Sequence, residues 1–339
     1  MSLAVASTPQ LLNRSASQLF TVLKVGIIGG GGYTAGELIR ILQYHPEVEI
    51  SFVQSASQAG KYVYETHDDL VGECDLKFSA ELSTDVDALF LCMGHGQSPA
   101  FMAQNNIPDR VAVIDLGNDY RLEETWVYGL PELNRAAIQQ SKRIANPGCF
   151  ATAIQLGLLP LAQEGLLGTE VHINAITGST GAGQAPSPNT HFSWRANNLS
   201  VYKAFNHQHL AEIRRSLVQA QTNFVGDLNF IPLRGDFTRG IFATLYLDCD
   251  LNETELQALF SQTYAKEPFT HVTTANPHLK QVVNTNKCLV HVEKHGNKAF
   301  IISAIDNLTK GASGQAVQNL NLIFGLPENT GLNLKSLAF

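Results

Sequence analysis

A short apolar strand that runs into a glycine-rich turn and then a helix limits the possible folds of this chain more than any other feature. Residues 24–28 (KVGII) are apolar, residues 29–36 (GGGGYTAG) form the turn, and apolar residues then recur at helical spacing as far as Leu42. A strand, a glycine turn and a helix in this order open a βαβ unit of a parallel sheet.

The spacing of this turn predicts a dinucleotide site. The pattern Gly29-x-x-Gly32-x-x-Ala35 lies between a strand and a helix, a context that an ordinary tight turn does not need. Backbone N–H groups and the positive helix end can then face a pyrophosphate without Cβ atoms in the way. The residues predicted to contact the cofactor here are Gly29, Gly31, Gly32, Tyr33, Thr34 and Ala35.

The end of the second predicted strand, residues 48–54, indicates which dinucleotide binds. Folds that prefer NAD place an Asp or Glu there to hold the ribose 2′-hydroxyl. Here the strand is followed by Ser55 and Ser57, with Lys61 close by. Hydroxyls and a lysine favour a 2′-phosphate, so we predict NADP(H), held by these three residues. The alternative is that the two serines only turn the chain.

Two kinds of strand pattern predict two domains. In the first half, apolar runs alternate with helical or turn segments, which is typical of a parallel sheet buried on both faces; the runs are 48–54, 88–93 and 111–116. In the second half a helix is predicted at 150–162, bent or ended by Pro160. The longer strands that follow are predicted at 170–177, 227–233 and 239–249, with a hairpin within 287–306 that turns at 295–297.

We therefore expect an α/β fold in which a Rossmann-type parallel-sheet domain precedes an α+β domain with a mixed or antiparallel sheet. A last amphipathic helix at about 311–324 could return to the first domain. The predicted segments are an N-terminal extension at 1–23, a nucleotide-binding domain at 24–148 that is completed by 311–339, and an α+β domain at 149–310.

Composition excludes several classes of function. In 339 residues, 23 Lys and Arg against 30 Asp and Glu give a net charge of −7, which offers no broad basic surface for nucleic acid. No apolar run approaches the roughly eighteen residues of a membrane span. Residues 1–22 are rich in Ser and Thr, contain no acid and carry one arginine, which faintly resembles a transit peptide. The lack of repeated arginines favours an N-terminal extension instead.

The cysteine pattern argues against disulfides and metal clusters. The five cysteines are odd in number and widely spaced, without a CxxC pair, which suits a reducing compartment such as the cytoplasm. We predict no metal site.

Cys149 stands apart from the other cysteines because it follows Asn-Pro-Gly at the predicted start of a helix, where the helix dipole and free N–H groups stabilise a thiolate. A nucleophile of this kind needs a partner that handles protons. The candidate is the segment His207-Gln208-His209, in which Glu212 lies one helical turn past His209 and could orient its imidazole. A solvated pair of histidines is the alternative.

Seven segments together resemble the N-acetyl-γ-glutamyl-phosphate reductase family, and they also distinguish it from the related aspartate-semialdehyde dehydrogenases. The resemblance covers about residues 24 to 330. Its segments, in chain order, are 24–38 (KVGIIGGGGYTAGEL), 115–122 (DLGNDYRL), 128–132 (YGLPE), 146–153 (NPGCFATA), 177–183 (TGSTGAG), 207–213 (HQHLAEI) and 306–325 (DNLTKGASGQAVQNLNLIFG).

The resemblance implies NADPH-dependent reduction of an N-acylglutamyl 5-phosphate to the 5-semialdehyde with release of phosphate, the third step of arginine biosynthesis. By motif, Cys149 is the nucleophile and His209 the acid and base, with His207 and Glu212 in support. The resemblance also implies a homodimer or homotetramer, with 149–310 as the catalytic and dimerisation domain. The closing segment adds four predicted cofactor contacts, Asn307, Gly311, Ala312 and Gln315.

A phosphate and carboxylates on the substrate require local cations in a protein of net charge −7. The predicted substrate contacts lie in or near the matching segments and are Arg121, Ser179, Arg195, Lys203 and Arg239.

The sequence departs from the family pattern at three places, and four alternative functions have to be considered. Phe150-Ala151 replaces a common Tyr-Pro, and the segment 93–96 lacks a usual proline; both leave the chemistry intact. Ala56 stands where a 2′-phosphate arginine is common, so Ser57 or Lys61 has to compensate. An N-succinyl substrate, an aspartate-semialdehyde dehydrogenase, a non-catalytic NADP sensor and a thiol hydrolase are the alternatives.

Overall fold

A computed structural model describes residues 22–337 as two seven-stranded sheets joined by helices. The predicted extension at 1–23 falls almost wholly outside the described residues. Within them, no helix is long and apolar enough to cross a membrane.

The first sheet is wholly parallel and has the strand order β3-β2-β1-β4-β5-β7-β6. Its strands are β1 (Leu23–Ile28), β2 (Val48–Gln54), β3 (Phe78–Ser79), β4 (Ala88–Leu91), β5 (Ala112–Asp115), β6 (Val127–Tyr128) and β7 (Arg143–Ala145). The helices of this half are α1 (Tyr33–Leu42), α2 (Ser98–Gln104) and α3 (Pro131–Gln140). β1 is flanked on both sides and its last four residues are buried, as the apolar run predicted.

The second sheet is mixed and has the order β12-β13-β14-β11-β8-β10-β9. Its strands are β8 (Glu170–Thr177), β9 (Ser200–Val201), β10 (Asp227–Arg234), β11 (Ile241–Asp248), β12 (Thr270–Val272), β13 (Cys288–His295) and β14 (Lys298–Ile305). Helices α4 (Cys149–Gln163), α5 (Phe192–Arg195), α6 (His209–Ala220) and α7 (Glu253–Tyr264) belong to this half. The hairpin from β13 to β14 is confirmed, and the fold class is the predicted one.

The chain closes with a π-helical turn at Thr309–Ser313 that leads directly into α8 (Gly314–Ile323). α8 is buried along nearly its whole length and packs against α1 and α3 of the first half. Gln315 and Asn319 both donate hydrogen bonds of 2.9 Å to the carbonyl of Gly129. These contacts attach α8 to the first half of the protein.

Pro160 lies inside α4, and the expectation that it ends the helix is wrong. A proline lacks the N–H that would bond to the carbonyl four residues earlier, which here belongs to Leu156. The hydroxyl of Tyr264 donates to that carbonyl at 2.6 Å. α4 therefore continues to Gln163 because a side chain of α7 replaces the missing backbone donor.

Candidate active site

Cys149 is the first residue of α4 and lies at a cavity of about 810 Å³ between the two halves of the protein. Gly148, its extended N-cap residue, and Pro147 bring the chain from β7 into the helix. Besides Cys149, the cavity is lined by ten of the predicted site residues: Gly32, Tyr33, Thr34, Arg121, Lys203, His207, His209, Asn307, Gly311 and Ala312.

His209 begins α6 and faces the turn before the cysteine. Its backbone N–H donates to Nδ1 of His207 at 3.2 Å, so His207 holds the start of the helix. A Cβ built on Gly148 would lie 2.5 Å from Nε2 of His209 and 2.7 Å from Nη1 of Arg121. Only a glycine therefore fits beside Cys149 without moving the imidazole or the guanidinium.

Glu212 organises the buried side of this site. One carboxylate oxygen accepts hydrogen bonds from the Tyr128 hydroxyl at 2.6 Å and from the N–H of Gly148 at 3.0 Å. The other accepts from Arg121 at 2.8 Å and lies 3.8 Å from Nε2 of His209. Glu212 therefore holds the backbone before Cys149 by direct hydrogen bonds, and it acts on His209 by charge and not by a hydrogen bond.

Tyr128 was not among the predicted site residues, although it lies in the YGLPE segment. Its hydroxyl is buried between Glu212 and Gln155, whose side-chain amide donates to it at 3.0 Å. Burial and the neighbouring Glu212 carboxylate raise the pKa of Tyr128 well above the ordinary value. The hydroxyl therefore keeps its proton and donates a hydrogen bond to Glu212. A tyrosine next to a Gly-Leu-Pro turn carries no sequence signal for this role.

The protonation states of the two central residues are complementary. Burial raises the pKa of the Cys149 thiol to about 11, although the N–H of Phe150 and the charge of Arg121 act in the opposite direction. The predicted thiolate stabilisation at the helix start is thus present but outweighed. Burial and Arg121 hold the pKa of His209 well below its usual range, so its imidazole is neutral at pH 7 and can accept the thiol proton.

His207 is neutral for the same reason. Burial, with the charges of Lys203 and Arg234, lowers its pKa to about 4. Its ring meets the rings of His209 and Phe150 edge to face. It therefore contributes packing and a hydrogen-bond acceptor to the start of α6.

The glycine turn fits a dinucleotide. Gly29 has φ +80 and a Cβ there would lie 3.0 Å from the backbone of Cys92, so a side chain would clash. Gly32, the N-cap residue of α1, has nothing within 4 Å of its Cβ position and borders the cavity. Open space in front of a helix N-terminus is where a pyrophosphate binds in this type of fold.

The predicted 2′-phosphate contacts lie together after β2. The hydroxyls of Ser55 and Ser57 are 3.5 Å apart, and Ser55 is fixed by a backbone bond to Ser79. The ammonium of Lys61 reaches Gln58 at 3.0 Å. Their contact with a cofactor stays a prediction.

The segment after β14 reaches Cys149 itself. A Cβ built on Gly311 would lie 2.8 Å from Cβ of Cys149. Lys310, wholly buried next to it, donates to Glu132 at 2.8 Å and to Gln318 at 3.0 Å, which fixes the π-helical turn. Gln315, in contrast, is buried within α8 and bonds to Gly129, so the structure does not bring it to the cavity.

Two of the predicted substrate contacts have other partners. The guanidinium of Arg239 binds Glu37 of α1 at 2.8 and 3.0 Å and Asp306 at 3.0 Å. These bonds join the two halves of the protein. Against the opposing effect of burial, the hydrogen bonds from Arg40 and Arg239 hold the pKa of Glu37 at about 2. Arg239 is therefore an ion-pair partner and not a residue that lines the cavity.

Arg195 is likewise turned away from the cavity. It is 7 % exposed and donates to the carbonyls of Asn198 and Arg234 at 3.1 and 2.7 Å and to the Ser200 hydroxyl at 3.0 Å. Ser179 borders a neighbouring pocket of about 840 Å³ together with Tyr33 and Trp194. The cation that sequence reasoning missed at the cavity is Arg234.

We predict that Gly148→Ala lowers kcat about a hundredfold while the protein stays folded. The added methyl group has to displace His209 or Arg121, and misplacing a catalytic group by about 1 Å can cost on the order of a hundredfold in rate. The matched control is Gly168→Ala, at an exposed position with open space and no positive φ, which should keep wild-type activity. Wild-type turnover by Gly148→Ala would contradict this geometry.

Comparison with known proteins agrees with the two halves of the structure. The sequence profile described as "Semialdehyde dehydrogenase, NAD binding domain" matches residues 24–141, and "Semialdehyde dehydrogenase, dimerisation domain" matches residues 149–307. Curated relatives named N-acetyl-gamma-glutamyl-phosphate reductase include that of Flavobacterium johnsoniae, 57 % identical over 325 residues, and that of Bacteroides fragilis, 56 % identical over 322 residues. Each alignment covers 94 % of this chain and 100 % of the relative.

Solved structures share the fold at low identity. Aspartate semialdehyde dehydrogenase II from Vibrio cholerae, complexed with ASA, has a TM-score of 0.70 at 17 % identity and covers 89 % of this chain and 98 % of its own. Aspartate semialdehyde dehydrogenase with NADP from Candida albicans has a TM-score of 0.69 at 16 % identity, with 91 % and 99 % covered.

Proposed function

Since the chain belongs to the N-acetyl-gamma-glutamyl-phosphate reductase family, we propose that it is an NADP-dependent oxidoreductase that reduces N-acetyl-L-glutamyl 5-phosphate to the 5-semialdehyde and releases phosphate. The reaction is the third step of arginine biosynthesis. The observation that supports it most strongly is that one cavity contains the glycine turn, the Cys149 thiol and a neutral His209.

The first step transfers the acyl group to the enzyme. His209 takes the proton of the Cys149 thiol, and the sulfur attacks C5 of the substrate. A carbon–sulfur bond forms, the bond from C5 to the phosphate oxygen breaks, and the phosphate leaves with that electron pair. The product is a thioester on Cys149.

The second stage needs a hydride, which bound NADPH supplies. The residues that would hold it are the glycine turn with α1, the pair Ser55 and Ser57, and the segment from Asn307 to Ala312. His209 then protonates the oxyanion at C5. It later removes that proton, the carbon–sulfur bond breaks, and the semialdehyde leaves while the sulfur regains its proton.

The N–H groups at the start of α4 are suited to stabilise the oxyanion. Glu212 accepts the N–H of Gly148 and so fixes the entry into this helix turn. Hydrogen-bond donors that are fixed before the reaction lower the barrier without a cost of reorganisation.

We propose that the active form is a homodimer or homotetramer. Large apolar side chains are exposed in α5 and in the segment before α6, with Phe192 at 82 % and Phe205 at 61 % exposure. The segment lies within the part that matches the dimerisation-domain profile. Light scattering of the purified protein tests the assembly, and a monomer at micromolar concentration would contradict it.

We propose the cytoplasm as its compartment. The five cysteines are all free thiols in the structure, which suits a reducing environment.

The reverse reaction tests the substrate, because aldehydes outlast acyl phosphates in solution. Phosphate-dependent reduction of NADP is measured with N-acetylglutamate, N-succinylglutamate and aspartate semialdehydes side by side. We expect turnover with an N-acylglutamate semialdehyde. Turnover of aspartate semialdehyde alone would identify an aspartate-semialdehyde dehydrogenase. No turnover of any of the three substrates would favour an NADP sensor.

A further inference from the structure

Arg234 is a cation of the active-site cavity without an acidic partner among the described residues. It ends β10, lines the cavity together with Cys149 and His207, and lies over the Tyr202 ring at 4.7 Å from the ring centroid. In the described part of the chain no carboxylate comes within 4.0 Å of its guanidinium, whereas Arg121 and Arg239 each bind an acid there.

One donor of Arg234 is buried and unused. Its Nε is shielded from solvent and has no hydrogen-bond partner. A buried donor without an acceptor is costly and rare in folded proteins. A guanidinium presents its N–H groups in a planar fork that matches the two oxygens of a carboxylate, so an anionic ligand would satisfy it.

The surroundings hold Arg234 in place. Arg195 donates to its carbonyl at 2.7 Å and to the hydroxyl of Ser200, the residue that pairs with Arg234 between β9 and β10. The backbone N–H of Tyr202 binds the carbonyl of Pro232 at 3.1 Å. The side chain therefore extends from a braced strand end, which is the support that a specific binding residue needs.

The position of Arg234 favours a carboxylate of the substrate over its phosphate. The phosphate is bonded to the carbon that Cys149 attacks, and the cation nearest to that turn is Arg121, which comes from the first half of the protein. Three carbons separate the α-carboxylate from C5, and a succinyl group would add another carboxylate beyond the amide. Arg234 approaches the cavity from the second sheet.

We propose that Arg234 binds a carboxylate of the N-acylglutamyl substrate, with Lys203 on the same cavity wall adding positive charge. The substrate class rests on the proposed function. A carboxylate that is held equally in the ground state and in the transition state adds uniform binding energy, so Arg234 contributes to substrate affinity.

The test compares Arg234→Gln and Arg234→Lys with the control Arg214→Gln, an arginine of α6 that does not line the cavity. In the reverse assay, Arg234→Gln should raise KM for the semialdehyde at least tenfold and change kcat less than threefold, while KM for phosphate and for NADP stays as in wild type. Arg234→Lys should recover part of the loss, because it restores the charge but not the fork.

Comparison of the N-acetyl and N-succinyl substrates shows which carboxylate Arg234 binds. An equal loss with the N-acetyl and N-succinyl semialdehydes assigns the α-carboxylate, and a loss confined to the succinyl substrate assigns the carboxylate of the acyl chain. An unchanged KM for both semialdehydes, or an increase in the KM for phosphate instead, would overturn the proposal.

A binding measurement separates this proposal from the proposed function. Calorimetry with N-acetyl- and N-succinyl-L-glutamine, whose side-chain amides are neutral, reports carboxylate binding without turnover. Arg234→Gln should weaken binding of at least one of them tenfold or more. Binding that depends on Arg234 in a protein without reductase activity would support the subsite and contradict the function, whereas equal binding by wild type and Arg234→Gln would contradict the subsite.

Discussion

Cys149→Ser is expected to lower turnover by at least about four orders of magnitude, as removal of a covalent nucleophile does in other enzymes. A serine hydroxyl is far less acidic than a thiol, and burial at this position already raises the pKa of the thiol to about 11. Single-turnover and steady-state assays of the purified variant measure the loss. Because the glycine turn is untouched, fluorescence titration should show unchanged NADPH affinity.

Cys249→Ser is the matched control for this substitution. Cys249 is buried at the end of β11, away from the cavity, and its variant should keep at least half of the wild-type activity. Turnover by Cys149→Ser within a hundredfold of wild type would exclude the thioester route.

His209→Asn should lower kcat/KM by roughly a hundredfold to ten thousandfold, which is the usual contribution of a general acid and base. In the wild type, a neutral imidazole can take the thiol proton over the whole neutral range, because burial and Arg121 keep its pKa well below its usual value. Without it, the thiol has to ionise into water, so the rate of the variant should rise about tenfold per pH unit towards the thiol pKa of about 11.

His207→Asn controls for the loss of a buried imidazole. Its Nδ1 accepts only the backbone N–H of His209, so the variant should lose much less activity and keep the wild-type pH profile. A pH profile of His209→Asn that matches the wild type would show that another group handles the proton.

Local signals were sufficient for much of the fold. The glycine turn, the buried parallel strand β1 and the hairpin between β13 and β14 depend on residues close together in the chain, and the structure contains all three. The effect of Pro160 on its helix could not be predicted from local sequence. Its effect depends on Tyr264, which is more than one hundred residues away and donates to the carbonyl that the proline leaves free.

The site residues also differ in whether their roles can be predicted from nearby sequence. Cys149 and His209 were predicted from a helix start and a short histidine motif, and the structure brings both to one cavity. The partner of an arginine depends on the tertiary fold. Arg239 meets Glu37 across 202 positions of sequence, and Arg195 braces Arg234, so the cation left over for a ligand could not be identified from the sequence.

Detection of a covalent intermediate on Cys149 tests the proposed thioester mechanism most directly. The protein is mixed with N-acetylglutamate semialdehyde and NADP without phosphate, and the products are followed by absorbance and by mass spectrometry of the intact and digested chain. We expect a burst of about one NADPH per active site and an N-acetylglutamyl group on the peptide that contains Cys149, removed when phosphate is added. A burst without acylation, or acylation at another residue, would contradict the account.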